Sequence, residues 1–545
     1  MTMSHPLLPL DVQQRYRELG FWEGLTLADA VADWAQRDPE RPAVVGPTPL
    51  SYGQVWERAR RLAGALGAGG LGHGDYLLAV LPTSWQGIVL EVAASIIGAP
   101  LAARSNHMSP ALMHNLVDQL GVRGLVLQAD LLAQPEWQVL LDELRTPLEG
   151  GPVMLQGSPP PGVDTGDLPV LEDAVATGPL ADPEQVDPCA PCIVLSTGGT
   201  TGVPKSILHC NETLVYAVRQ FAAATGFTEA DTHVAFMPYG HAGGSVFEVY
   251  MPLLHGAKIL PIARWKPGPV AEAIAAYGGT FFITMGTHIF DLLALEPDAE
   301  PLLRSMRVAA TGAGPDSLFE EGERRLGMKL LRVYGCSECP GHAIGRLDDP
   351  PEVRLRQDGV PFPGLEIRIV GPLGDPVPDG TAGDYQVRGP NLFMGYAGQP
   401  ELTAEAVTED GFYRSGDLLV RSPQGYVNWS GRTKDIIRRG GLQIDPVEME
   451  NLLADHPALS TVVVVGEPDE RLGERAVVVA VASEAGEGPT LEGLCAFLLE
   501  QGLPKQNLPE RLVLTTEIPR TELGKFHRVE IKRRLVEEPE RLSAA

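Results

Sequence analysis

Between about residue 40 and residue 335, short apolar or β-branched runs alternate with longer helix-patterned stretches, and no other feature constrains the fold as much. The series runs from Tyr76–Leu81, with the helical Ser84–Ile97 after it, through Gly124–Gln128 to Ile193–Ser196, followed by the helical Glu212–Ala224. It continues with His233–Met237, Lys258–Ile262, Thr280–Met285, Arg307–Ala310 and Lys329–Tyr334. Alternation of this kind requires crossover connections, so the expected class is α/β, with a large N-terminal domain of parallel-rich sheets flanked by helices. Ligands of such sheets sit beyond the carboxyl ends of the strands, and the loops there are expected to carry the chemistry. Around Gly364–Val387 the texture changes to short strands with Gly and Pro turns, predicting a small antiparallel β subdomain. After Gly431 it changes again. A helix over Pro446–Ala454, an apolar hairpin over Thr461–Val465 and Ala476–Val481, a helix over Leu491–Glu500 and a basic end predict a small α+β C-terminal domain. The expected domains are residues 1–430 and 431–545.

The formal net charge is −27, so the basic stripe of a nucleic-acid binder is not expected, and an anionic substrate must be held by a local cluster of donors. The most apolar stretch, Ile88–Ala103, is interrupted by Glu91 and falls short of the ~20 residues that span a bilayer. The N-terminal segment lacks the charged-then-apolar order of a secretory signal, and a cytoplasmic location is expected. Cys189/Cys192 and Cys336/Cys339 have C-x-x-C spacing, but the pairs are much farther apart than in a zinc ribbon, so buried or incidental thiols are the favoured reading.

The strongest local signal is Leu195-Ser-Thr-Gly-Gly-Thr-Thr-Gly-Val-Pro-Lys205, directly after the apolar run Cys192–Leu195 and before the helix-patterned stretch. Glycines allow backbone N–H groups to close around phosphate oxygens, hydroxyls add donors, and Lys205 adds a point charge. A Walker loop requires Gly-Lys-Ser/Thr at its end, whereas here Pro204 precedes Lys205.

This loop resembles the phosphate loop of the adenylate-forming superfamily: acyl-CoA synthetases, aryl-acid ligases, peptide-synthetase adenylation domains and luciferase. Seven further segments match in the family's order: Pro238-Tyr-Gly-His241, Thr311-Gly-Ala-Gly314, Tyr334-Gly-Cys-Ser-Glu338, Tyr413-Arg-Ser-Gly-Asp417, Gly431-Arg-Thr-Lys-Asp435, Gly440-Gly441 and Pro519-Arg-Thr-Glu-Leu-Gly-Lys525. The resemblance implies that Ser196, Thr197, Gly198, Gly199, Thr200, Thr201 and Lys205 cradle the phosphates of ATP. It implies that Gly312, Ala313 and Gly314 leave room for adenine, that Tyr334, followed by Gly335, stacks on it, and that Ser337 donates to the α-phosphate. Glu338 is then the Mg²⁺ ligand, Asp417 the acceptor for the ribose hydroxyls and Arg432 a second ribose or phosphate contact. Lys525 is implied to bridge the carboxylate and the α-phosphate during adenylation, and Lys434 to stand at the hinge of a mobile C-terminal domain. After the swing, Gly440 and Gly441 would leave passage for a pantetheine arm.

His241 resembles the histidine beside the carboxylate in acyl- and aryl-CoA ligases, and Phe236–Gly244 contains no acid to pair an α-ammonium, which argues against an amino-acid substrate. By position, the acyl pocket is expected to be lined by His241, Phe247, Met285, Gly312, Gly341 and His342, suiting a medium-chain, alicyclic or aromatic acid. The overall string looks most like short/medium-chain or cyclohexanecarboxylate-type ligases; the Ser-Thr-Gly-Gly-Thr-Thr of the loop also leans toward aryl-acid ligases that load a carrier protein. Two departures bear on this: Gly440-Gly-Leu-Gln-Ile444 replaces the usual Gly-Gly-Glu-Asn-Ile, and Gly286 replaces a proline after the pocket strand. The implied substrates are a small carboxylic acid, ATP with Mg²⁺, and coenzyme A, with a carrier protein or a nitrogen nucleophile as alternative acceptors and a homodimer as an open assembly. Arg438, Arg439 and Lys505 are candidate cations for the 3′-phosphate of coenzyme A. A non-catalytic paralogue would be expected to lack Lys525, Glu338 or Asp417, and all three are present.

Overall fold

A computed structural model describes residues 4–106, 108–145, 148, 150–196, 205–312, 314–483, 488–521 and 526–538. Among these residues, two large sheets, one antiparallel sheet and a C-terminal sheet build the molecule. The nine-stranded sheet runs Val360–Pro361, Cys339–Ile344, Lys329–Cys336, Val308–Thr311, Phe281–Thr284, Thr232–Ala235, Lys258–Pro261, Pro42–Val44, Leu50–Ser51. Its strands from Lys329–Cys336 to Pro42–Val44 are parallel, with antiparallel additions at both ends. The seven-stranded sheet runs Gly395–Tyr396, Ser206–Cys210, Pro191–Ser196, Leu101–Arg104, Leu77–Val80, Gly124–Gln128, Val153–Gln156. It too is parallel apart from its first two strands. One hydrophobic core takes side chains from both sheets and from the antiparallel sheet.

Local sequence accounts for the crossovers. Ser84 starts the helix Trp85–Ile97 by accepting the Gly87 N–H, and Gly98 ends it at φ 64°, a left-handed conformation open to glycine at no steric cost. One expectation changes. The chain leaves the phosphate loop as the strand Ser206–Cys210, antiparallel to Pro191–Ser196, and only then enters the helix Asn211–Thr225. The strands that flank the loop are therefore paired with each other, up to Ser196 opposite Ser206. Ser-Ile-Leu-His-Cys alternates between the two cores, with Ile207 in one and Leu208 against the other.

The antiparallel sheet is formed by Glu366–Val370, Gly383–Arg388, Tyr413–Arg421 and Val427–Arg432. The C-terminal sheet contains Leu442–Ile444, Ile437–Arg439, Gly473–Ala482 and Leu459–Asp469, with Arg511–Leu514 parallel to Gly473–Ala482. The run Val462-Val-Val-Val465 is apolar without alternation because both faces are covered: Val462 and Val464 face Leu494 and Leu498, Val463 and Val465 face Ile531 and Leu535. Each such fully buried side chain contributes roughly 1.5–3 kcal/mol. No helix among the described residues is long and apolar enough to cross a membrane.

Candidate active site

The segment Pro238-Tyr-Gly-His241 leaves the strand Thr232–Ala235 of one large sheet and lies against the carboxyl end of the other. The Ser196 N–H donates to the Gly240 carbonyl at 2.9 Å. Gly240 has φ +95°, and a Cβ there would stand 2.1 Å from the Ala103 carbonyl oxygen, so only glycine fits. His241 then starts a π-helical stretch, Ala242–Tyr250, whose side chains reach back to hold the segment that precedes it. Ser245 Oγ accepts the Gly240 N–H at 3.1 Å. The fully buried Glu248 accepts the N–H groups of Phe236 and Met237 at 3.1 and 2.9 Å, replacing the neighbouring strand that ends there. Burial pushes the Glu248 carboxyl well above the ordinary range. Across the junction with the other sheet's layer, Tyr239 Oη of the segment donates to the Gly87 carbonyl in the helix Trp85–Ile97 at 2.9 Å, and Thr83 Oγ1 donates to the Met237 carbonyl at 3.1 Å.

A second group of predicted residues converges on Asp417, a buried carboxylate in Tyr413–Arg421. It accepts from Tyr334 Oη at 2.8 Å, Arg432 Nε at 3.0 Å and Trp429 Nε1 at 3.3 Å. Asp417 and Arg432 are cross-strand partners, which explains their pairing, whereas Tyr334 comes from the end of the nine-stranded sheet. Burial, with the Asp417 charge beside it, pushes the Tyr334 phenol well above its ordinary range, so it stays a donor.

The third group is a chain across the loop's root. Lys205 Nζ lies 3.3 Å from Tyr396 Oη and 4.6 Å from the centre of its ring, and Tyr396 Oη donates to Glu338 Oε1 at 2.8 Å. Ser337 and Glu338 form the turn between Lys329–Cys336 and Cys339–Ile344. Buried His209, held neutral with its pKa lowered to about 4, donates from Nε2 to the Ser337 carbonyl at 2.7 Å and ties that turn to the strand returning from the loop. Glu338 is a buried oxygen donor, and among the described residues no cluster of three metal-ligating side chains occurs. That combination fits Mg²⁺ held by one carboxylate and by substrate phosphates.

The expected pocket residues divide between two surroundings. A Cβ on Gly341 would stand 2.9 Å from Phe362 and 3.2 Å from Phe247, and one on Gly312 would stand 3.0 Å from Met285, so these glycines make room between apolar walls. His342, the next residue on the strand, points elsewhere: its ring lies 5.2 Å from Tyr334 and 5.4 Å from Tyr385. It is fully buried, and burial lowers its pKa to about 3. Gly335 lies back to back with Gly341, since a Cβ on it would be 3.0 Å from the Gly341 nitrogen. Gly314 leaves room for Phe319, whose ring a Cβ there would approach to 2.7 Å.

Thr197, Gly198, Gly199, Thr200, Thr201, Ala313 and Lys525 lie outside the described residues. Lys434 occupies an exposed turn between Val427–Arg432 and Ile437–Arg439. Gly440 and Gly441 form a two-residue hairpin turn, at φ +56° and +90°, between the paired Arg439 and Leu442. Arg439 departs from its expected role: its side chain is 11% exposed and paired with Glu510, which occupies the charge proposed for a 3′-phosphate. All six cysteines are free, and Cys336 and Cys339 face each other across the bulged hairpin that carries Glu338, where burial raises both thiols well above their ordinary range. Tyr396, Trp429, Ser245 and Glu248 carry no sequence signal, because each acts through partners from 5 to 191 residues away and no motif announces it.

Comparison with known proteins fits this geometry. Residues 31–397 match the profile of the AMP-binding enzyme family and residues 448–525 that of the AMP-binding enzyme C-terminal domain. The chain is 31% identical over 541 residues to a salicylyl-CoA synthase / salicylate adenylyltransferase of a Streptomyces species, covering 96% of each. It is also 31% identical over 538 residues to the medium-chain fatty-acid–CoA ligase of Escherichia coli K12, covering 96% of this chain and 93% of the relative. The crystal structure of ATP-bound MatB from Rhodopseudomonas palustris shares the fold, with a TM-score of 0.84 at 23% identity over 94% of this chain and 100% of that one. With both family profiles matched, the chain belongs to the AMP-binding enzymes, the family of adenylate-forming ligases.

Proposed function

We propose that this protein is an ATP-dependent, AMP-forming acid–thiol ligase that adenylates a medium-chain, alicyclic or aromatic carboxylic acid and passes the acyl group to coenzyme A. The observation that carries it is the convergence on Asp417, where a buried carboxylate gathers Tyr334, Trp429 and Arg432 beside the strand ends of the large sheets. A carboxylate so placed can accept two vicinal hydroxyls, and an adjacent aromatic face can take a purine. Lys205 and Tyr396 orient the polyphosphate end and Glu338. Glu338, together with phosphate oxygens, would hold Mg²⁺, which would supply neutralisation of the phosphate charge.

In the first half-reaction an oxygen of the substrate carboxylate attacks the α-phosphorus, the bond to the bridging oxygen breaks, and pyrophosphate leaves. Lys525 is assigned to the charge that develops between carboxylate and α-phosphate. In the second, a thiol sulfur attacks the acyl carbon and AMP leaves with the bonding pair. His241, next to the clamped Gly240, is assigned to the substrate carboxylate, and the apolar walls of Phe247, Phe362 and Met285 support an apolar acyl group. The names of the two curated relatives support coenzyme A as acceptor and bracket the acid between fatty and aryl types.

The test is acid-dependent exchange of labelled pyrophosphate into ATP across a panel of fatty, alicyclic and aryl acids. Exchange with at least one acid, and faster AMP release when coenzyme A is added, are expected. No exchange with any acid sinks adenylation; exchange without acceleration by coenzyme A sinks the thioester step and favours a carrier protein or a nitrogen nucleophile.

A further inference from the structure

A buried arginine without a counter-ion among the described residues stands at the root of the phosphate loop. Arg104 ends the strand Leu101–Arg104 and is 1% exposed. Its Nη1 donates to the carbonyls of Ala103 at 2.6 Å and Val194 at 2.9 Å, while Nε and Nη2 have no partner among the described residues. Burial alone perturbs the group, lowering its pKa to about 10, so it keeps its charge at neutral pH with no described carboxylate close enough to offset it.

Two hydroxyls share its position. Leu101 pairs with Ile193 in parallel register, which brings Arg104 level with Ser196, and Ser196 pairs with Ser206 across the hairpin. Ala102, Val194 and Leu208 all pack on one core, so period-two alternation turns Arg104, Ser196 and Ser206 toward that same face. Both serines are buried, and Ser206 Oγ has no partner among the described residues either. On the opposite face Ile207 packs with Tyr396, the residue that joins Lys205 to Glu338. The two donor sets therefore bracket the loop's root from both faces of one hairpin.

A lone guanidinium is costly in a protein interior, and the carboxyl edge of a parallel sheet is where an external anion can offset it. A planar fork of donors with a hydroxyl beside it matches a tetrahedral oxyanion. We propose that Arg104, Ser196 and Ser206 form an oxyanion site under the phosphate loop that takes a phosphate group, either the terminal phosphates of bound ATP or free pyrophosphate. Its assignment to those two sources rests on the adenylation reading, but its chemistry does not.

The test is calorimetric titration of the full chain with pyrophosphate, ATP, AMP and succinate, in the wild type and in Arg104→Met, Arg104→Lys and Ser206→Ala. Arg104→Met is expected to weaken pyrophosphate binding roughly 10- to 100-fold, as for loss of charge-assisted hydrogen bonds. Arg104→Lys should recover part of it, Ser206→Ala should lose a few-fold, and AMP binding should stay within twofold. Weakening of ATP together with pyrophosphate assigns the site to the nucleotide's own phosphates; weakening of pyrophosphate alone assigns it to the released product. Unchanged affinity for both in a folded Arg104→Met overturns the proposal and leaves Arg104 as a pin for two carbonyls. Loss of succinate binding with pyrophosphate unchanged also overturns it, in favour of a second substrate carboxylate. Where Arg104→Met does not fold, wild-type affinities in Arg104→Lys and Ser206→Ala are the overturning result. Because the titration needs no turnover, absence of acid-dependent exchange would sink adenylation while leaving this result to stand by itself.

Discussion

At the scale of single residues, the site depends on side chains that hold one another before any substrate arrives. Tyr334 Oη to Asp417 is the clearest case, a short bond to a buried carboxylate that also fixes the angle of the ring. Tyr334→Phe keeps the aromatic face and removes only that bond. It should raise the KM for ATP about tenfold, as for roughly 1.5 kcal/mol of a hydrogen bond to a charged group, while the KM for the acid moves less than twofold. Pyrophosphate-exchange kinetics read both constants, and an equal rise in the two would remove Tyr334 from the nucleotide side. The motif marks Tyr334 in the sequence as a nucleotide-site candidate, but not its bond to Asp417. Tyr396 is not marked at all, because a lone Gly-Tyr at an edge strand has no signature until folding brings Glu338 and Lys205 to it from 58 and 191 residues away.

At the scale of elements, the π-helical stretch after His241 shows how a strand end can be held by the helix downstream of it. Glu248 and Ser245 satisfy three backbone N–H groups that the end of the strand Thr232–Ala235 leaves without a sheet partner. Glu248→Gln sets an amide N–H₂ against those donors and should cost about 1–3 kcal/mol. Thermal unfolding reads that cost, and a higher KM for the acid at unchanged KM for ATP is expected with it. A lower midpoint with both KM values intact would mean that the clamp only stabilises. The start of the helix Pro446–Leu453 gives a pH prediction. Asp445 accepts from the Val447 N–H at 2.9 Å and from Ser430 Oγ at 3.3 Å, and burial is the main cause of its pKa rising to about 6. A carboxyl raised on folding favours the folded state when protonated, so its contribution is full below about pH 4 and is lost as pH rises through about 6. Asp445→Asn retains a capping side chain and should flatten the fall of the unfolding midpoint over that window; an unchanged slope would assign the pH dependence to other groups.

At the scale of the whole molecule, Ser317 Oγ donates to Asp455 at 3.0 Å between the two family segments, an exposed polar contact. An exposed polar contact of this kind is compatible with the proposed swing of the C-terminal segment between two half-reactions. Lys525→Ala is therefore expected to lower pyrophosphate exchange by on the order of 10²–10³ while leaving thioester formation from a preformed acyl-adenylate largely intact. Equal loss in the two assays would remove Lys525 from the first half-reaction alone. The amino-acid order by itself determined the class of fold, because apolar runs of strand length separated by helix-length stretches leave no topology but crossovers, and it determined the nucleotide chemistry, because the motifs are local strings. Only the tertiary structure decided that the strands flanking the phosphate loop pair antiparallel, that Gly341 and His342 serve different surroundings, that Arg439 is already paired, and that Arg104 is buried with no counter-ion among the described residues. Those outcomes depend on pairing register and on which strands become neighbours, long-range contacts that no local spacing encodes.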